Sequence, residues 1–330
     1  MASASHEQFI ALLKTAYEEW NNAWQHRHGD AEEVLYHYTD AEGLLGIVDK
    51  QQLWASNAAF LNDSTEVVYV RDVLAEVAQE LRVKYEVKAD IRSYAADAMA
   101  GTGRWTVRER RTASVIGILE GGPNFATAVL DVYVSCFCSN GDLLSQWRGY
   151  SSSGGGYALG LRSESLRRGG GLLRRVIYDK ETQRQLLRDL LVPIVDLVAS
   201  ADYLGDDGWG DSWDWLVREH LGVVTTSLAE CGFCFKHPGF EEESEWRLVV
   251  LHARDPKRRP DDPPPEVRAT RTGLLPYVRR SLETDAVAGV VVGPTAHPTL
   301  AADAAARLLS NASYENGRDM VSHSAIPLRA

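Results

Sequence analysis

The stretch that most constrains this chain is LYHYTDAEGLLGIVDKQQLWASNAAFLNDSTE, from Leu35 to Glu66. Val34-Leu35-Tyr36-His37-Tyr38 is rich in residues that suit a pleated surface, so it predicts a short strand. Thr39-Asp40 break that strand. Ala41–Lys50 then predicts a helix with Leu44, Leu45, Ile47 and Val48 inward, and the Asp40 carboxylate is placed to accept from a first-turn N–H as N-cap. One imidazole, His37, therefore ends a strand and is pinned by the helix that follows. Strand ends that feed helices are where α/β scaffolds hold ligands. His37 is a site candidate on that ground, and a hydrogen-bonded structural histidine on the other reading.

A chain of 330 residues can form one large domain or two modest ones with a real core. No apolar run approaches the roughly 20 residues needed to cross a bilayer, and the N-terminus lacks a signal-peptide core. The expectation is a soluble cytoplasmic protein with no membrane partner. A net charge of -11 argues against long-range attraction of nucleic acid by the whole molecule, and leaves room only for a local basic patch. The four cysteines fall in two pairs, Cys136/Cys138 and Cys231/Cys234. Four thiolates would suit tetrahedral zinc, but Cys136 and Cys138 sit in a strand-like run rather than a turn. Buried reduced cysteines without metal are the expectation.

Phe9, Leu13, Trp20 and Trp24 recur at helical spacing within His6–Gln25, so residues 1–33 predict an amphipathic helix packed on the rest. Asp63 and Glu66 have capping-box spacing ahead of a helix over Ser64–Val87. Ile91–Leu130 reads as interrupted helix, and Asp131–Ser139 as a strand buried on both faces. A short turn or helix at Asp142–Trp147 leads to the flexible run Ser151–Gly156 and the strand Tyr157–Leu161. Its glycines precede a strand instead of opening a helix, which excludes a dinucleotide fingerprint. Strands follow at Leu172–Tyr178, Glu245–His252, Ala286–Val292 and Met320–Ile326. Helices are expected at Lys180–Ser200, Ser212–Glu230 and Pro298–Ser310. Arg254–Glu266 is Pro-rich and charged, an exposed loop. With no repeat and no clean linker, residues 34–330 predict one α+β domain with helical insertions.

The chemistry-bearing residues are His37, the aromatics Trp147 and Tyr150, and the acidic approach Glu241–Glu245. Glu243 and Glu245 share a strand face. A carboxylate beside an aromatic and an imidazole can stabilise positive charge developing on a sugar carbon. The alternatives are a Glu245–Arg247 ion pair and a His that caps a turn. A metal-dependent hydrolase built on His37, Asp63, Glu66 and His323 lacks any recognised ligand spacing.

YHYT, LND-x-x-E, CFC followed by W-x-x-Y, E-x-EWRLV and the terminal SHSAIPLR together resemble a bacterial family of unknown function, number 2971 in its series, from Leu35 to Arg329. More distantly, the chain resembles the His-Tyr-Glu branch of the ADP-ribosyltransferase fold. His37 matches the branch's first-strand His, Glu245 its late-strand Glu, and Tyr150 or Trp147 its middle aromatic. The resemblance implies an α+β fold with a split β-sheet core and large helical insertions. It also implies an NAD-consuming ADP-ribosyltransferase acting on a protein or nucleic-acid acceptor, in the manner of a toxin or defence effector. His37, with Tyr38 and Thr39, would hold the adenosine-side ribose, and Tyr150 or Trp147 would stack on nicotinamide. Glu245, with Glu243 beside it, would favour the oxocarbenium-like transition state, while Asn62 and Arg247 would contact the pyrophosphate or adenine. NAD is the substrate and no metal is expected. The competing reading is a module of the same fold that binds a nucleotide or peptide without turnover.

Overall fold

The computed structural model describes residues 2–60, 65–89, 93, 96, 100–106, 108–113, 115–117, 130–150, 155–200, 227–253, 264–270 and 273–327. The expected site residue Asn62, the Asp63 cap, the loop at 151–154 and nearly all of the helix expected over Ser212–Glu230 lie outside them. The side chain of Glu66 lies outside them too. Two compact units emerge: Met1–His28, Asp63–Leu130 and Ile177–Pro238 in one, and Gly29–Asn62, Asp131–Val176 and Gly239–Ala330 in the other.

The first unit is helical. Its α1 (Ala2–His28) and α3 (Thr65–Lys84) both pack on α6 (Lys180–Ala199). Asp179 starts α6 as an N-cap, accepting from Thr182 N at 2.8 Å. The apolar stripe read from the sequence is the buried one: Phe9, Leu13, Trp20 and Trp24 are all covered. Trp20 Nε1 donates to Leu186 O at 3.0 Å, which settles the one polar atom of a buried indole. At the centre, the fully buried Gln183 donates to Ile177 O and Lys236 O and accepts from Tyr69 OH.

On the flank of this unit, Glu80 accepts from Arg188 at 2.7 Å and from Arg184. Those bonds, Arg188's first, hold the Glu80 carboxyl down at about 2, against 4.5 ordinarily. A carboxylate depressed on folding stabilises the native state above its unfolded value, and that stabilisation is lost as pH falls toward its folded value. The contribution of Glu80 is therefore complete above pH about 4.5 and fades toward pH 2. Over that interval the melting temperature of Glu80→Gln should fall less steeply with acid than that of the parent chain. Superimposable profiles would remove Glu80 from the acid response.

The second unit holds a ten-stranded open mixed sheet. One path runs β10 (Val321–His323), β9 (Val287–Val292), β4 (Tyr157–Arg162), β1 (Val34–Thr39), β3 (Leu130–Cys138), β2 (Gln52–Asn57), β8 (Gly273–Ser281), β7 (Glu266–Thr270). The β10–β9 pair is parallel, and the other neighbouring pairs on this path are antiparallel. Off this path, β6 (Glu245–Ala253) pairs with β3 and with β5 (Leu172–Arg175). The helices α2 (Ala41–Lys50), α4 (Leu144–Tyr150), α5 (Ser163–Arg168) and α7 (Pro298–Asn311) complete the unit. Its main core gathers Leu35, Leu44, Ile47, Leu53, Phe137, Leu159, Trp246 and Leu248 on one face of the sheet.

β3 has three partners but only two edges. It meets β1 at Tyr36↔Cys138 and β2 at Ser56↔Val134 and Asn57↔Tyr133. β6 is tied to the same end as β1, through Ser139 N and Ser244 O at 3.3 Å. So β1 and β2 share one edge of β3, β6 takes the other, and β1 and β2 must part. The sheet splits there.

The β7–β8 hairpin falls in a stretch to which the sequence reading assigns no element. Pro276 lacks the N–H that a ladder needs and argues against a strand. It is accommodated opposite Val267, in a pair at the end of the sheet path. The strand expected over Leu172–Tyr178 stops at Arg175, and that over Met320–Ile326 shrinks to Val321–His323.

Candidate functional site

His37 sits where β1 leaves β3. Its Nδ1 lies 2.9 Å from the carbonyl of Cys136, close to the point of parting. A carbonyl accepts, so Nδ1 carries the proton and Nε2 is left as an acceptor. Burial chiefly, and the nearby Arg268 charge, depress the imidazole's proton affinity against the opposing effect of that hydrogen bond. The ring is neutral at physiological pH. Ser135 works in the same way on the other strand, its Oγ donating to Trp54 O at 3.2 Å. Side chains thus satisfy backbone groups at the split.

Thr39 ends β1 against the first turn of α2. A Cβ on Gly43 would fall 1.9 Å from Thr39 Oγ1, so only glycine permits this approach. Asp40 is the N-cap expected from the sequence, accepting from Gly43 N at 2.8 Å.

Arg268, on β7, comes near enough to the split for its charge to act on His37, although the pairs Glu266↔Tyr277, Ser56↔Tyr277 and Ser56↔Val134 put it on the opposite face of the sheet. Its Nη2 donates to Ser56 Oγ at 3.0 Å. The guanidinium carbon lies 5.5 Å from the Trp54 ring centroid and 6.0 Å from that of Tyr277. Lys50 Nζ is 5.8 Å from the Trp54 ring as well. Arg268 feels the charge of Asp40, and burial pulls its proton affinity down. Nothing in the sequence marks Arg268, Trp54 or Ser56 as a group; sheet pairing brings them together.

The other expected site residues are placed elsewhere. Leu35, His37 and Leu159 share the main core face, as do Trp246 and Leu248. Glu245 and Arg247 alternate with Trp246 and Leu248, so they project from the opposite face, that of Tyr38, Cys138 and Trp147. His37 and Glu245 do not share a cleft. Glu245 instead accepts from Arg247 Nε at 2.7 Å and Nη2 at 3.0 Å, a bidentate pair with side chains 8% and 2% exposed. Arg174, also buried, stands in register with Arg247 on the neighbouring strand. Burial, with the charges of Glu245 and Glu243, pushes the Cys138 thiol up. Arg247 therefore contacts a carboxylate, where the resemblance implied a pyrophosphate.

Trp147 is 4% exposed and stands edge-on to Tyr38, ring centroids 4.7 Å apart. Its Nε1 donates to Asp142 Oδ1 at 2.8 Å. Asp142 also accepts from Ser324 Oγ and from Ala325 N, which ties down the terminal SHSAIP motif. Tyr38 donates to Asn140 O and accepts from Leu143 N, and burial drives its hydroxyl pKa upward. Trp147 and Tyr38 are core, and neither face of the indole is offered as a platform for a ring. Tyr150 ends α4 and is 54% exposed.

The four cysteines form no disulfide. Among the described residues no group of three or more His, Cys, Asp or Glu is arranged to hold a metal ion, and no helix is long and apolar enough to cross a membrane. No curated protein and no solved structure matches the chain. Residues 146–248, from the start of the Trp147 knot to the Glu245–Arg247 pair, match the model of a family described as a protein of unknown function (DUF2971).

Proposed function

We propose that this protein binds NAD, or a nucleotide like it, where β1 and β2 part, and does so without turnover. The observation that carries this is His37. A neutral imidazole is held by Cys136 O, and its Nε2 accepts no hydrogen bond among the described residues, close to where β1 and β2 part. The remote likeness to ADP-ribosyltransferases supports NAD as the ligand and implies transfer as well. Transfer needs a carboxylate facing the sugar carbon, and Glu245 is paired with Arg247 on the opposite face. Binding is the reading this arrangement favours.

Calorimetric titration of the full chain with NAD, beside a nicotinamide-release assay, tests it. His37→Asn keeps a donor for Cys136 O and removes the outward acceptor. It should weaken NAD by about fivefold, the loss of roughly one net hydrogen bond of about 1 kcal/mol, at an unchanged melting temperature. Absence of NAD binding to the parent chain would sink the proposal. Nicotinamide release that Glu245→Gln abolishes would restore the transferase in its place.

A further inference from the structure

We propose that Arg268 grips a phosphoryl group of the ligand, making the split in the sheet a phosphate site; the proposal rests on the nucleotide-binding reading only for the location of the ligand. The guanidinium has five N–H donors, and its single hydrogen bond among the described residues is the one to Ser56 Oγ. Its Nε is buried without a hydrogen-bond partner there.

Among the described residues, the carboxylates nearest to Arg268 are committed. Glu266, two positions back on the same strand face, accepts from Tyr277 OH at 3.0 Å and pairs with Arg279. Asp40 caps α2. A half-covered guanidinium with one hydrogen bond leaves its other N–H donors available to an anion. Packing on Trp54 and Tyr277 holds the planar fork in place, so little freedom is lost when it binds. Lys50 adds a second positive charge at the same indole. In a chain of net charge -11 this local excess of positive charge is not a by-product of composition. Phosphate oxygens suit the fork in two parallel bonds, and the Ser56 hydroxyl on β2 is a further polar group beside it.

Inorganic phosphate, pyrophosphate, ADP-ribose and NAD are titrated separately into the full chain, with tryptophan fluorescence and calorimetry as readouts. Pyrophosphate and ADP-ribose should bind, and Arg268→Gln should weaken both by about 10- to 100-fold, the range for a charge-assisted hydrogen bond. Arg268→Lys keeps the charge over the rings but loses the planar fork, so it should recover only part of that affinity. Should Arg268→Gln fail to fold, Arg268→Lys and Ser56→Ala carry the test. Phosphate-ligand affinities within twofold of the parent in folded variants would overturn the proposal, as would failure of every phosphate ligand to bind. Pyrophosphate binding that depends on Arg268, with no NAD binding, supports the phosphate site while NAD fails as the ligand. NAD binding indifferent to Arg268 does the reverse.

Discussion

Glu245→Ala should lower the stability of the protein by about 3–5 kcal/mol, because it takes the carboxylate from a guanidinium that is 2% exposed. The cost lies in Arg247. Both its Nε and Nη2 are directed at Glu245, and Arg174 stands in register beside it, so the buried face would lose the bidentate carboxylate set against that guanidinium. Replacing both partners with apolar residues, as in Glu245→Leu with Arg247→Met, should recover most of the loss, since a packed apolar pair avoids desolvating either charge. Urea unfolding of the two variants separates these outcomes. A loss below about 1 kcal/mol for Glu245→Ala, together with lost ligand affinity, would put this carboxylate in a binding site after all.

Trp147→Ala should cost about 3–5 kcal/mol, the range for deleting a large aromatic from a core. The ring fills the space beside Tyr38, and a Cβ on Gly293 would stand 2.8 Å from it. Its removal also frees Asp142 Oδ1, the atom to which Ser324 Oγ donates, so the segment after β10 should loosen at the same time. Tyr150→Ala, three residues on and largely exposed, should stay within about 0.5 kcal/mol. Denaturant midpoints of the two variants give the comparison directly. Equal midpoints for Trp147→Ala and the parent chain would mean that the indole is not part of the core, and would reopen its role as a ring platform.

Local order was legible where it depends on neighbours in the chain. The strand–cap–helix reading of Val34–Lys50 stands, with Asp40 on Gly43 N, because a cap is an exchange between residues three apart; of the four apolar residues expected inward only Leu45 is exposed, at 54%. The stripe Phe9, Leu13, Trp20 and Trp24 is buried because periodicity alone decides which side of a helix is apolar. The alternation in EWRLVVLH likewise separates Glu245 and Arg247 from Trp246 and Leu248 without any structure. Which of those two faces meets His37 is a different question. It depends on the registers of β1 and β6 against β3, set by Tyr36↔Cys138 and by Ser139 N on Ser244 O, and those put His37 with Trp246's face and Glu245 on the other.

The sequence by itself determined that His37 ends a strand, that Asp40 holds the next helix, and that Glu245 and Arg247 share a face within reach of one another. Only the tertiary structure decided the proton on His37 Nδ1, through a carbonyl 99 residues away, and the meeting of Arg268 with Ser56 across 212 residues. Caps and face periodicity follow from the backbone's own repeat, so a short window carries them. The partner of a side chain across a sheet follows from strand order, and EVRAT sits on Trp54 because β7 and β2 both flank β8.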